Sequence, residues 1–409
     1  MIEFIVFIIM LIFIIIGLIM LIYSFRQKDY NTLKKNESSK FSIIIPARDE
    51  SKVIEGLLKS IINQSCTVNP QDVYIVVESK NDKTCNIAKK YNMNIVLRRD
   101  LSLKRKGYAI DDAISFIKEK NKRYDLYFIF DADNILDKDF ISNMLESYKN
   151  GYDIAIGYRN TKNGNDSVVA AASSLTFTMI NTMFNKFKVK QGLNVTISGT
   201  GFYISGSVID KLGGYPFNTL TEDYELSVYS SLAGLSSTYN EKAIFYDEQP
   251  VKYKITKTQR TRWIRGYIDT RKKYNHELKK KIKSENCPKK GSIKIEYVGI
   301  KPYLLMVIGL VFFIVSNIVL FFINLISNNM YIYNLLSIAV LIIIIYIVLA
   351  AITFIMIKRE KEYFGLTKKM KIMAVIYNPI FLLSYIPCAV KALLNPNIGW
   401  SKIEHNKNI

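Results

Sequence analysis

Leu126-Tyr127-Phe128-Ile129-Phe130-Asp131-Ala132-Asp133 is an apolar run that ends abruptly in two acids. A short apolar stretch bounded by polar residues reads as a buried strand, and alternate residues of an extended segment point to the same side. Asp131 and Asp133 therefore share a face just past the strand's carboxyl end. Two carboxylates so placed can hold a hard divalent cation, Mg2+ or Mn2+, that also takes oxygens from a diphosphate. Alone, Asp-x-Asp is more simply an acidic turn; the strand before it gives it weight.

Working outward, the same apolar rhythm repeats. Phe41 to Ile45, Val73 to Val77 and Ile95 to Leu97 read as strands, separated by helices near Ser51 to Asn63, Asp82 to Tyr91 and Lys106 to Lys120. Strands alternating with helices of this length predict right-handed crossovers and a mostly parallel sheet, an α/β nucleotide-type domain. Ligands of such sheets lie beyond the strands' carboxyl ends. Pro46-Ala47-Arg48-Asp49-Glu50, Glu78 and Asp131 to Asp133 are thus expected on one rim. From about residue 152 the pattern is mixed: a strand at Ile154 to Tyr158, a small-residue helix at Val168 to Phe187, a glycine-containing loop and strand at Ser198 to Ser205, a helix at Glu222 to Leu232 and a basic amphipathic helix at Thr256 to Tyr274.

The 409 residues are 49% hydrophobic, and the excess is concentrated at the two ends. Residues 2 to 25 are apolar apart from Glu3, longer than the roughly 20 residues a helix needs to span a bilayer. With no basic leader and no small-residue cleavage site, residues 1–25 read as a retained anchor. Arg26 and Lys28 follow directly, which places the polar middle on the cytoplasmic side. Residues 26–40 read as a linker. Pro302 to Ile326 and Tyr331 to Ile357 predict two further spans, and Lys371 to Leu394 is a third hydrophobic stretch interrupted by Pro379 and Pro387. Whether that stretch crosses or bends back decides the side on which Trp400 and His405 lie, with 395–409 a polar tail. The formal charge of +21 is interleaved with these spans and dense from Arg271 to Lys283. A membrane surface or a phosphate-bearing substrate explains it, and the absence of a nucleic-acid motif argues against nucleic acid. Cys66, Cys85, Cys287 and Cys388 lack paired ligand spacing, which argues against zinc and disulfides.

Two further clusters carry chemistry. Thr219 to Glu222 fits a capping box, and acids in a helix's first turn need no catalytic reason. Yet Asp223 beside Glu222 heads an amphipathic helix, where partial burial raises proton affinity toward that of a general base. Gln259, Arg262 and Trp263 fall at i, i+3 and i+4 and share a helix face. An Arg there can neutralise a departing pyrophosphate, and an indole offers a platform for a sugar ring. The competing reading is an interfacial helix, since Arg260, Arg265, Arg271, Lys272 and Lys273 lie along it too.

Together these clusters resemble the membrane-integrated family 2 glycosyltransferases, which include cellulose, chitin, hyaluronan and poly-N-acetylglucosamine synthases. The resemblance runs from about Phe41 to Tyr267 and implies a Rossmann-like GT-A catalytic domain at 41–255, cytosolic, followed by interfacial helices at 256–300 and a membrane region at 301–394. It implies that Pro46, Ala47, Glu50 and Glu78 hold a uridine, with Asn81-Asp82-Lys83-Thr84 as the S-D-x-T pattern, and that Lys106 of Lys106-Gly107-Tyr108-Ala109-Ile110 touches the diphosphate. Asp131 matches the nucleotide-side acid and Asp133 the metal ligand of D-x-D. Asp223, with Glu222, matches the base of T-E-D, Gly199 and Thr200 lie in the acceptor-side loop, and Gln259, Arg262 and Trp263 match Q-x-x-R-W, with Trp263 as the acceptor's floor.

The function so implied is inverting transfer of a hexose or N-acetylhexosamine from a UDP-sugar to a growing β-linked polysaccharide, processive and coupled to export across the plasma membrane. Only three hydrophobic segments follow the catalytic region, fewer than in the larger synthases. A homo-oligomer or an accessory subunit is then expected to complete a channel. The rival is a non-processive enzyme adding one sugar to a lipid-linked acceptor, and the least favoured reading is a non-catalytic transport or scaffold subunit.

Overall fold

Strands β1 (Phe41–Pro46), β2 (Val73–Val77), β3 (Asn94–Leu97), β4 (Leu126–Ile129), β5 (Ile135–Leu136), β6 (Ile154–Thr161), β7 (Phe202–Ser205) and β8 (Ser237–Asp247) form one eight-stranded sheet in a computed structural model. It describes residues 2–29, 33–34, 36, 39–285, 287–327, 331–360 and 365–399; Trp400, His405 and part of the linker lie outside the described residues. The order across the sheet is β3-β2-β1-β4-β7-β6-β8-β5. Its first half is wholly parallel, as the apolar rhythm predicts. The second half is mixed: β7 runs against both β4 and β6, and β5 against β8, while β8 runs with β6.

Both faces of the parallel half are covered, which is why β2 and β4 are apolar at every position rather than at alternate ones. Ile43 and Ile45 of β1, Val73, Ile75 and Val77 of β2 and Phe128 of β4 face a core with Leu57, Leu58 and Ile61 of helix Ile54–Ile62. Ile44, Tyr74, Val76, Tyr127 and Ile129 face the opposite core, with Ile110, Ala113, Ile114 and Ile117 of helix Lys106–Glu119.

The strand directions determine where the chemistry collects. β1, β2, β3, β4, β6 and β8 all point one way, and β7 points back. One edge of the sheet therefore gathers the residues after six strands together with the loop that leads into β7. That loop contains Ser198 to Gly201, so a reversed strand is what delivers it to the rim.

Several elements differ from expectation. The helix foreseen at 168–187 runs as Val168–Met179, a π-helical stretch Ile180–Asn185, and Lys186–Lys190. Asn185 exchanges two hydrogen bonds with the backbone of Thr196 there. The basic helix is longer, Tyr253–Lys283. β5, β8 and the helices Phe140–Lys149, Gly206–Leu212 and Lys290–Val298 had no clear signal.

Among the described residues, four stretches are long and apolar enough to cross a membrane: Ile2–Phe25, Lys290–Ile326, Ile332–Arg359 and Lys368–Leu394. The last breaks at Ser384 into Lys368–Leu383 and Tyr385–Leu394. Polar side chains join three of them: Asn334 donates to Glu3 at 3.0 Å and to Asn317 at 3.4 Å, and Ser337 donates to Asn317 at 3.0 Å. In an apolar surround such contacts specify which helix faces meet.

The broken helix packs against Tyr253–Lys283, and this corrects the interfacial reading of two cations. Arg260 is 0% exposed, its guanidinium 4.2 Å from the Phe381 ring centre and 4.6 Å from that of Tyr385. It donates to Phe381 O at 3.1 Å and Ser384 Oγ at 2.8 Å. Arg265 is buried too, pairing with Asp269 and reaching Ala392 O. Both face protein, not lipid headgroups. Arg260→Met keeps the apolar stem but removes both hydrogen bonds of a charged donor, at a cost of about 1–3 kcal/mol; a melting point in detergent equal to that of the parent protein would refute this anchoring.

Candidate active site

The rim begins where β1 and β2 end level, Pro46 opposite Val76. Ala47 N–H continues the pairing to Val76 O at 2.8 Å. The following turn is held by helix Lys83–Lys90: Asp82 Oδ2 accepts from Asp49 N–H at 2.9 Å, and Thr84 Oγ1 accepts from Glu50 N–H at 3.1 Å. Asp49 sits at φ 56°, a left-handed turn that the Asp82 contact stabilises. Glu78 pairs with Arg48 at 3.0 Å. The S-D-x-T residues thus shape the loop bearing Pro46 to Glu50 rather than standing apart from it.

β4 lies on the other side of β1, and its extension carries the acids. Asp131 N–H donates to Thr200 Oγ1 at 2.8 Å and Asn134 Oδ1 at 3.2 Å, and Thr200 also bonds Asn134. Thr200 and the acidic turn are thereby one unit. Asp133 is buried, accepting from Glu248 N–H at 2.9 Å and from Asn134 Nδ2 at 3.3 Å.

Lys106, at the start of its helix, ties the rim together. Its ammonium donates to Asp131 Oδ1 and to Gly199 O, the latter at 2.7 Å. Burial alone would depress its pKa, but the charges of Asp131, Glu222 and Asp223 overcome this and hold it above the ordinary lysine value. Gly199 in turn faces the base candidate: a methyl group at its Cα would stand 3.5 Å from Asp223 Oδ2.

Glu222 and Asp223 open helix Glu222–Leu232, but not through the expected capping box. Thr221 is the N-cap and makes no capping bond, and Glu225, not Glu222, returns to the backbone N–H groups of Asn218 and Thr219 at 3.0 and 2.9 Å. Glu222 is thereby left for the cleft. Burial, and then the Asp223 charge, raise it to about 7, opposed by Lys106 and Arg262. Burial also raises Asp223, opposed by the Tyr224 N–H, Lys106 and Arg262. An acid with raised proton affinity beside an open loop can serve as a general base near neutral pH.

The Q-x-x-R-W helix comes up against this pair. Arg262 donates to Leu220 O at 3.3 Å, directly before the acids. Trp263 meets the edge of Phe177, ring centres 5.8 Å apart. Gln259 is half-buried and makes no side-chain hydrogen bond among the described residues. What lets the helix approach is Gly266, where a Cβ would lie 2.5 Å from Thr221 Oγ1 and 2.8 Å from Thr221 N.

Three contributors escaped the sequence reading. Arg159, within β6, grips Asp247 Oδ2 through Nε at 2.7 Å and Nη2 at 2.5 Å, and donates to Ser198 O at 2.6 Å. Its guanidinium lies 3.5 Å from the centre of the Phe177 ring, on which Trp263 rests. Asp247 ends β8 and precedes Glu248, whose N–H holds Asp133. This relay joins the Ser198–Gly201 loop, the indole and the acidic turn. The signal was present: Ala243 to Asp247 is another apolar run closing on an acid, interrupted upstream by Glu241 and Lys242.

A model of the family described as "Glycosyltransferase like family 2" matches residues 39–266, over half of the chain. The chain belongs to this family. Among curated relatives, a probable glycosyltransferase of Bacillus subtilis is 28% identical over 248 residues, 56% of either chain. A poly-β-1,6-N-acetyl-D-glucosamine synthase of Staphylococcus epidermidis is 23% identical over 59% of either chain. The match thus spans little more than half of each relative. A mannosyltransferase from Pyrobaculum calidifontis, solved with GDP-Man and Mn2+, is 14% identical, covers 95% of both chains and has a TM-score of 0.53, a likeness of fold. In this family 2 glycosyltransferase the matched segment ends at Gly266, the residue that seats the helix on the acids.

Gly266→Ala overpacks that contact at a cost of about 1–3 kcal/mol. The expected result is a lower melting temperature of the purified protein; an unchanged one would show that the helix does not rely on this close approach.

Proposed function

We propose that this chain transfers a hexose or N-acetylhexosamine from a nucleoside diphosphate sugar, with UDP as the favoured carrier, to a β-linked glycan, with inversion at the anomeric carbon. The observation that carries the reading is the meeting of Lys106, Asp131, Gly199, Glu222, Asp223 and Arg262 in one cleft. In this reading Pro46, Ala47, Glu50 and Glu78 face the nucleoside, Lys106 and Arg262 the diphosphate, and Gly199, Thr200, Gln259 and Trp263 the acceptor. The names of the synthase relatives support a glycan acceptor.

A divalent cation fits the donor set. Asp131, Asp133, Glu222 and Asp223 are four carboxylates against two cations, Lys106 and Arg262, so the cleft is short of positive charge. Among the described residues no cluster of three or more Cys, His, Asp or Glu forms a closed cage. Two carboxylates with the remaining positions left to diphosphate and water is how Mg2+ or Mn2+ is held; Asp131 and Asp133 would hold it. The structural neighbour's Mn2+ agrees with this. When bound, the ion supplies positive charge to the departing diphosphate.

The protein's own groups do the rest. Asp223 takes the acceptor hydroxyl proton, the acceptor oxygen bonds to the anomeric carbon from the far side, and the bond to the diphosphate breaks with its electron pair on the phosphate oxygen. Lys106 and Arg262 stabilise that oxygen, and Trp263, braced by Phe177 and Arg159, positions the acceptor ring. The competing acceptor, a lipid-linked one, is favoured by a single observation: four candidate spans form a small membrane region for enclosing a polymer.

Asp223→Asn is expected to leave donor binding nearly intact and to reduce transfer by about two to four orders of magnitude. Because Asp223 must be unprotonated to act and burial raises its proton affinity, the parent enzyme should lose activity as pH falls, beginning at a higher pH than an exposed aspartate would impose; a rate independent of pH through the acidic range would remove Asp223 from the role. Asp133→Ala should weaken both Mn2+ and nucleotide binding, and unchanged Mn2+-dependent affinity in calorimetry would overturn the metal assignment. Incubation of reconstituted protein with labelled UDP- and GDP-sugars, followed by product sizing, tests the carrier and the acceptor together: a ladder of products supports repeated addition, and one sugar on lipid supports the rival.

A further inference from the structure

The basic helix continues well past the catalytic residues, and beyond Gly266 its side chains line a second concavity. A groove of about 640 Å³ lies between Tyr253–Lys283 and the start of Lys301–Ile326, lined by Tyr267, Ile268, Arg271, Lys272, Asn275, His276, Lys279, Ile300 and Lys301. None of these residues is acidic. Of the acids near the groove, Glu296 turns its carboxylate inward to Lys188 at 3.4 Å and Tyr224 at 3.1 Å, and Asp269 pairs with Arg265; Glu277 follows His276 on the same helix but is not part of the lining.

The groove is built rather than a chance run of lysines. Arg271 is fixed at its floor, donating to Glu296 O, to Tyr297 O at 2.8 Å and to Asn275 Oδ1 at 3.3 Å. It contributes charge while its hydrogen bonds are largely spent on protein. Lys301 is held over the Tyr297 ring at 3.7 Å. Ile300 N–H donates to Tyr267 OH at 3.1 Å, across a turn at Gly299 whose φ of 52° and missing Cβ admit that hydroxyl. Lys272, His276 and Lys279 are exposed at the rim. From the mouth, exposed Ile300, Tyr303 and Leu304 continue along the first turn of a helix apolar enough to span a bilayer.

A cluster of cations, free of acids, at the end of a spanning helix and continuous with an exposed apolar strip matches a ligand with an anionic head and an acyl tail. We propose that this groove binds the phosphate headgroup of an anionic phospholipid, with the acyl chains lying along Ile300, Tyr303 and Leu304. The site is coupled to the catalytic cleft: Tyr267 stacks on Tyr224 at 5.0 Å and 28°, and Tyr224 follows Asp223. Lipid in the groove therefore braces the helix that presents the base. The proposal concerns binding and stands whether or not the transfer reading holds.

The test uses the full chain in neutral detergent, titrated with short-chain phosphatidylglycerol and, separately, short-chain phosphatidylcholine, with binding read by thermophoresis. Phosphatidylglycerol should bind more tightly, and its affinity should fall with added salt. Lys272→Gln with Lys279→Gln, both at exposed positions, should weaken it about 25-fold, from two surface charges. Equal affinity for the two lipids, or an unaltered affinity in the double variant, would overturn the site. Displacement of the lipid by inorganic phosphate at equal concentration would make it a free-phosphate site and refute the lipid assignment.

Discussion

Lys106 carries the positive charge on which the cleft depends. Asp131 and the Glu222–Asp223 pair approach one another from two elements, the turn after β4 and the start of helix Glu222–Leu232, and a cation between them offsets their mutual repulsion. The ammonium sits on Asp131 and on the carbonyl of Gly199 while acting at longer range on both helix acids. It thereby fixes the Ser198–Gly201 loop to Asp131. Because burial would otherwise discharge it, the carboxylates keep Lys106 charged as much as Lys106 keeps them together.

The scaffold makes this meeting possible by strand direction rather than by closeness in sequence. Six strands deliver their carboxyl ends to one edge, and the reversed β7 brings the Ser198–Gly201 loop to the same place. The helix with Arg262 and Trp263 then closes over the acids, seated at Gly266 and fastened by Arg260 to the C-terminal hydrophobic segment. Arg159 braces the far side. Each contact is modest, but they share residues, so displacing one member moves several.

What the sequence reveals follows from how local its physics is. The first four strands and their helices are legible because both sheet faces are buried and the apolar runs are uninterrupted; β2 falls on Val73–Val77 as read. β8 is hidden because Glu241 and Lys242 interrupt it where its register with β6 shifts, and β5 is two residues long. Asp131, Asp133, Glu222 and Asp223 are visible through short-range spacing. The Arg159–Asp247 pair spans 88 residues, so the apolar run that closes on Asp247 marks one partner but does not reveal the other. The capping box failed for a related reason: Glu225, one turn further on, reaches the same backbone donors and is itself paired with Lys273.

The aromatic seat of Arg260 is supplied by residues that follow the matched segment by more than a hundred positions. An excised soluble domain would leave that guanidinium without its cover, one turn from the indole. The family-matched half is thus not a detachable module resting on an apolar tether, and any force that shifts Phe381 and Tyr385 is passed to Trp263 through a single helical turn.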